Sequence, residues 1–131
     1  MKKLIVLFLL STLILCLFSC GSDTFDNVVG QLEKQYWQSS SVYTRAQVSE
    51  IEESIKSFGI ELSEDVSNVA HFIKPSYPES TWVYVYEFEN NADAELFKSA
   101  YADSWGSSRI LDSVVVYGNS EEIINSITIQ K

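Results

Sequence analysis

Beyond residue 20 the chain has no cysteine, its only two being Cys16 and Cys20. A body without thiols forms no internal disulfide, no cysteine-based zinc site and no thiol nucleophile. Histidine is nearly as scarce. With His71 alone, a zinc or iron centre of two or three imidazoles cannot be built within one chain, and any Ser-His-Asp relay would hang on that single ring. No serine lies in a Gly-x-Ser-x-Gly turn. The five glycines are isolated and no D-x-D-x-D-G spacing occurs, so phosphate-cradling and calcium loops are missing too. Cations are half as numerous as anions: nine Lys and Arg stand against 18 Asp and Glu, for a formal charge of −9. Each phosphate contact would need a cation that this chain lacks, which excludes nucleic acid as a partner.

What is present begins at the N-terminus. Lys2 and Lys3 precede an apolar run from Leu4 to Phe18, after which Ser19, Gly21, Ser22 and Asp23 restore polarity. A spanning helix needs about 20 apolar residues, so this is the charged head and apolar core of an export signal. Leu17, Ser19, Cys20 and Gly21 then place an aliphatic residue three positions before a cysteine, with small residues on either side of it. In this the chain resembles bacterial lipoprotein precursors. The resemblance implies cleavage before Cys20, diacylglyceryl attachment to its thiol and further acylation of the new amino group, palmitate being the usual kind of chain. One acyl chain binds a membrane marginally, whereas two or three make a stable anchor. It also implies a place in the cell envelope, with the domain on the non-cytoplasmic side. Because Gly21 stands where retained lipoproteins carry aspartate, the outer membrane is implied if the cell has one.

These readings divide the chain into a signal peptide (1–19), a lipidated tether (20–23) and a single domain (24–131), long enough for one core but not two. A tether this short reaches little more than ~14 Å, so any partner must be close to the membrane.

Within the domain, Phe25, Val28, Val29, Leu32 and Tyr36 recur at helical spacing and predict a helix over 24–37. Gln38 to Ser41 is a polar break. Thr44 and Gln47 form a capping box for a second helix over 44–58, whose apolar face is Val48, Ile51, Ile55 and Phe58 and which Gly59 ends. Its other face, with Glu50, Glu52, Glu53 and Lys56, reads as a solvated surface. The period then changes. Val69–Ile73 and Trp82–Glu89 read as strands, joined across a loop with Pro75 and Pro78 into an antiparallel hairpin. A third helix over 91–104 buries Ala94, Phe97 and Tyr101. Ile110–Tyr117 reads as a third strand, and a short helix over 119–127 follows, with Asn119 and Glu122 as its capping box.

The order ααββαβα predicts an α+β domain, a small mixed three-stranded sheet packed with four helices. Strands 82–89 and 110–117, joined by the third helix, would be parallel with a right-handed crossover. The strand order stays open, a split βαβ with 69–73 in the middle being one solution. Helices 91–104 and 119–127 are expected on one face, and 24–37 with 44–58 on the other.

No residue is assigned a catalytic or metal-binding role, and no cofactor is implied. Glu87 and Glu89 share a strand face about 7 Å apart, a spacing that two glycosidase carboxylates could use. Without a cleft they read as a solvated strand end, and Asp93, Glu95 and Asp103 as helix-surface acids. His71, between apolar neighbours, reads as a hydrogen-bonded core or edge residue rather than a catalyst. The feature left over is aromatic. Trp82, Tyr84, Tyr86 and Phe88 alternate with Val83 and Val85, so they project from one face of the strand. They form either a second core under the N-terminal helices or, with Tyr77 and Trp105, a partly open platform for a ligand or partner. The leading functional expectation is a non-enzymatic, membrane-anchored lipoprotein that binds a membrane-proximal protein or serves as an accessory subunit. The alternative is capture of a small molecule or glycan on the aromatic face, and a small hydrolase is a third.

Overall fold

The computed structural model describes residues 23–35, 39–75 and 79–128. Cys20, Tyr36 and Tyr77 lie outside the described residues. The domain is α+β, but its sheet has five strands and is antiparallel throughout, not mixed and three-stranded. The elements run α1 (Asp23–Glu33), β1 (Ser39–Val42), α2 (Arg45–Ser57), β2 (Val66–Lys74), β3 (Thr81–Phe88), α3 (91–105), β4 (Ser107–Leu111), β5 (Val114–Gly118) and α4 (Glu121–Ser126). Spatial order in the sheet is β1-β2-β3-β5-β4.

Two corrections account for the extra strands. Ser39–Ser41 falls in the expected polar break of Gln38–Ser41, but with Val42 it forms a strand. It is an edge strand paired only with β2, Ser41 opposite His71 and Val42 opposite Ala70, and an exposed edge needs backbone pairing more than apolar side chains. The run 110–117 is two strands, not one. Asp112 adopts φ +53°, a left-handed conformation that Asp tolerates, and with Ser113 makes a two-residue turn that folds β4 back on β5. The turn is fastened to the start of α1 by the Thr24 hydroxyl, which donates to Asp112 Oδ2 at 2.7 Å. Because this hairpin reverses the chain after α3, β5 reaches β3 antiparallel, Tyr84 opposite Tyr117 and Val85 opposite Val116. The parallel crossover and the split βαβ are therefore excluded, and β2 lies outside β3 rather than between β3 and β5.

The helices also divide differently between the faces. The valine face of β3 and β5, with Ala70 and Phe72 of β2, packs under Phe25, Val28, Val29 and Leu32 of α1 and Ile124 of α4. The aromatic face packs under Val48 and Ile55 of α2 and Ala94, Phe97 and Ala102 of α3. A bulge between Val66 and Asn68 resets the parity of β2, so Val66 joins Phe88 on the aromatic face while Asn68 stays with Glu87 on the other.

α2 is capped as its sequence predicts. Thr44 Oγ1 accepts from the Gln47 backbone N–H, and the Gln47 side chain accepts from the Thr44 N–H. Gly59 follows at φ +82°, where a side chain would be strained. Phe58, expected on the buried face of α2, is instead 63% exposed just past its last turn. α4 begins one residue later than expected, with Ser120 as its cap and no role for an Asn119–Glu122 box. Asn119 does something else: its Oδ1 accepts from the Trp82 N–H and its Nδ2 donates to the Ser80 carbonyl, pinning the chain that enters β3. Among the described residues no helix is long and apolar enough to cross a membrane.

An aromatic pocket at the open end of the sheet

The aromatic face of β3 is covered along only part of its length. Phe88 and Tyr86 lie beneath α3, where Tyr86 stacks on Phe97 with ring centroids 4.6 Å apart. Towards the start of the strand the cover ends, and Tyr84 and Trp82 are half-buried beside a concavity of ≈ 530 Å³. Such a volume is that of a small-molecule site. Its floor is the sheet: His71 and Ile73 from β2, Trp82, Tyr84 and Tyr86 from β3, and Tyr117 from β5. Its wall is the C-terminal part of α3, which contributes Tyr101 and Trp105, and Ser80 sits at the rim.

The floor is ordered by strand register. Ser41, His71, Tyr84, Tyr117 and Ser108 are successive cross-strand partners, so one row of side chains crosses all five strands. Within it the His71 imidazole lies flat on the Tyr84 ring, centroids 4.0 Å apart and planes 7° from parallel. Tyr84 in turn stacks on Tyr117 at 5.4 Å. Trp82 meets both tyrosines edge-on at 5.9 Å. Offset stacks and edge contacts of this kind add to the area the rings bury.

The wall has a local cause. Residues Lys98–Ala102 form a π-helical turn between the α-helical segments Asn91–Phe97 and Asp103–Trp105. A π turn carries an extra residue per turn and is found disproportionately at functional sites. Here it lies between Phe97, wholly buried in the core, and Trp105, which is 57% exposed, with Tyr101 at its centre bridging the two. Behind the wall a second aromatic surface continues outward from Tyr101 to the exposed ring of Phe58, 5.5 Å away.

Two floor hydroxyls, those of Tyr84 and Tyr117, donate to other tyrosines. Tyr86 shares a hydrogen bond with Tyr117, and Tyr84 shares one with Tyr43, which lies just after β1. Burial pushes the phenols of Tyr86 and Tyr117 far above their ordinary range, and those of Tyr84, Tyr43 and Tyr101 upward as well. Burial also lowers His71, which keeps the imidazole neutral at pH 7. Among the described residues no Asp, Glu, Lys or Arg lines the pocket. The Lys74 side chain alternates with Ile73 and so projects from the opposite face of the sheet. Among the described residues the site therefore offers π faces, a neutral imidazole, phenolic oxygens and one serine hydroxyl, with no carboxylate beside His71 to make it a base.

Of the residues singled out from sequence, Trp82, Tyr84, Tyr86 and Trp105 converge on this pocket. Tyr86, 5% exposed and with its hydroxyl bonded to Tyr117, serves only as floor. Tyr77 and Cys20 lie outside the described residues. Sequence reasoning missed Tyr117 and placed Tyr101 simply in a core. The signal for Tyr117 was the Asp112-Ser113 turn, which makes 114–118 a separate strand.

Two acids also differ from expectation. Glu87 is not a solvated strand end: it is 9% exposed, and Asn68 donates to its Oε1 at 2.8 Å. Burial raises its carboxyl above the usual range, Asn68 opposes that shift, and the nearby charges of Asp26 and Glu89 add to it. Asp93 is buried in the first turn of α3 rather than solvated. A second concavity of ≈ 520 Å³ beside α2 is lined by acids such as Glu52, Glu61 and Asp65. Among the described residues, however, no three metal-ligating side chains converge.

Comparison with protein-family models, with curated proteins and with solved structures found no match for this chain.

Proposed function

We propose that the chain is a membrane-anchored, non-enzymatic lipoprotein of the bacterial cell envelope whose domain binds a small molecule in the aromatic pocket. The anchor is a lipid on Cys20 and the domain faces the non-cytoplasmic side, at the outer membrane where the cell has one. The residue pattern of 2–21 supports the anchor. The pocket supports the binding role, and one observation carries it: the sheet's aromatic row continues past the end of its helical cover into a concavity lined, among the described residues, by no ionised group. A row of rings serving only as core would be expected to stay under the helices. The small-molecule reading thereby moves ahead of a protein partner. The latter is still favoured by one feature, the exposed aromatic surface of Phe58 and Trp105.

The experiment is a binding screen on the full chain in non-ionic detergent, with cationic, anionic, neutral apolar and saccharide probes. Saturable binding of at least one class, lost in Trp82→Ala, supports the reading. No saturable binding from any class overturns it. Intact-mass analysis tests the anchor, which requires an acylated species starting at Cys20 and unprocessed precursor in Cys20→Ala. A soluble product cleaved elsewhere contradicts it.

A further inference from the structure

We propose that the pocket recognises a fully alkylated ammonium group, a quaternary nitrogen such as that of choline, held against the faces of Trp82, Tyr101 and Trp105. The inference rests on the pocket-binding reading above and names its ligand chemistry. Three observations carry it.

The first is the lining. Six Trp and Tyr rings line one concavity, of which Trp82 meets its neighbours only edge-on and Trp105 is exposed, and the negative faces of Trp and Tyr attract cations within about 6 Å of the ring centre. The second is what the lining lacks. A primary ammonium is strongly hydrated and would bring three N–H donors into a site where, among the described residues, no carboxylate receives them. A quaternary nitrogen has no N–H and little hydration to lose, so the same lining suits it. Among the described residues anions find no cationic partner in the pocket, and a sugar finds neither a carboxylate nor a side-chain amide to bind its hydroxyls.

The third is charge. A chain with twice as many acids as bases is negative overall, which favours the approach of cations and disfavours that of anions. With Lys74 on the opposite face of the sheet and Lys98 paired with Asp103 at 3.1 Å, no basic side chain of the pocket opposes this. The volume of ≈ 530 Å³ exceeds what a trimethylammonium group fills, which leaves room for further atoms beyond the charged head. A phospholipid headgroup and a free solute share this chemistry.

The test uses the full chain in non-ionic detergent and titrates choline against 3,3-dimethyl-1-butanol, its neutral isostere with carbon in place of nitrogen. Choline should bind at least about tenfold more tightly, because the isostere keeps the shape and loses the charge. Trp105→Leu, which keeps an apolar side chain and removes the π face, should weaken choline about fivefold or more, and Trp105→Phe should recover part of that loss. Trp105 is exposed, so both variants are expected to fold. Glycine betaine and a short-chain phosphatidylcholine below its micellar concentration locate the source. Tighter binding of the lipid assigns a headgroup, and tighter binding of choline or betaine assigns a free solute. If the isostere binds as well as choline, the pocket is a plain apolar site and the inference is overturned while the binding role survives. If choline does not bind but another probe class does, the inference is likewise overturned. If nothing binds, both fall.

Discussion

Replacing Asp93 with alanine should be among the most damaging single changes in the domain. Its carboxylate is 4% exposed and receives the Ser63 backbone N–H at 2.9 Å, the Glu64 N–H at 3.0 Å, the Ser63 hydroxyl at 3.0 Å and the Asn90 amide at 3.3 Å. It thereby ties the loop entering β2 to the first turn of α3, where its charge also suits the helix N-terminus. Hydrogen bonds to a charged acceptor are worth ~1.5–3 kcal/mol each, and a buried donor left unpaired costs ~1–3 kcal/mol. The Ser63 hydroxyl and the Asn90 amide can turn to water, whereas the two backbone donors are fixed. Counting those two alone gives a loss of about 3–5 kcal/mol, a large share of the ~5–15 kcal/mol typical of a domain. Asp93→Asn keeps one acceptor oxygen and should lose roughly half as much. Urea denaturation followed by tryptophan fluorescence measures both. Burial raises the Asp93 carboxyl, but the Ser63, Glu64 and Asn90 hydrogen bonds outweigh it and hold the net value below the usual range. Its stabilisation is therefore present above the unfolded value of ~3.9 and is lost as pH falls through the folded one. The gap between wild type and Asp93→Ala should close in acid. A loss under about 1 kcal/mol at pH 7, or a gap that widens in acid, would refute this reasoning.

Gly118→Ala should destabilise by about 1–3 kcal/mol, because a Cβ there would stand 2.4 Å from the Trp82 carbonyl oxygen, where β5 passes closest to β3. An unchanged melting temperature would mean that the approach is looser than described. Glu87→Gln should act in the opposite direction. Burial raises the Glu87 carboxyl, so its contribution is full below ~4.3 and is lost as pH rises through the folded value. The variant should melt higher than wild type at pH 7 and lose that advantage near pH 4, and a lower melting temperature at pH 7 would count against the buried position of Glu87.

The helices were legible because their signals are local. Thr44 and Gln47 cap α2 whatever the tertiary structure does, and Phe25, Val28 and Leu32 mark one face of α1 by spacing alone. The sheet was legible only where a strand carried its own alternation, as β3 does. Ser39–Val42 has none, since its pairing is a backbone matter settled by β2. The turn at Asp112-Ser113 hid inside an apolar run because neither residue is glycine, and one residue's left-handed backbone changed a parallel crossover into an antiparallel hairpin. For the same reason half the pocket could be read. Trp82, Tyr84 and Tyr86 announce themselves by period, whereas Tyr117 joins them only once β5 is placed, and Tyr101 only once the helix is known to turn through a π segment. Glu87 and Asp93 looked solvated because sequence shows a charge but not the Asn68 amide or the Ser63 loop that faces it.

The central claim, that the open end of the aromatic face is a binding site, is tested most directly by the indole N–H resonances of Trp82 and Trp105 in the ¹⁵N-labelled chain during titration with a binding probe. Assignment comes from single Trp→Phe variants. The account predicts that both signals shift saturably with one common dissociation constant, while resonances of the Glu52–Asp65 concavity on the far side of α2 stay in place. Shifts confined to that acidic concavity, or binding that leaves both indoles unmoved, would contradict it.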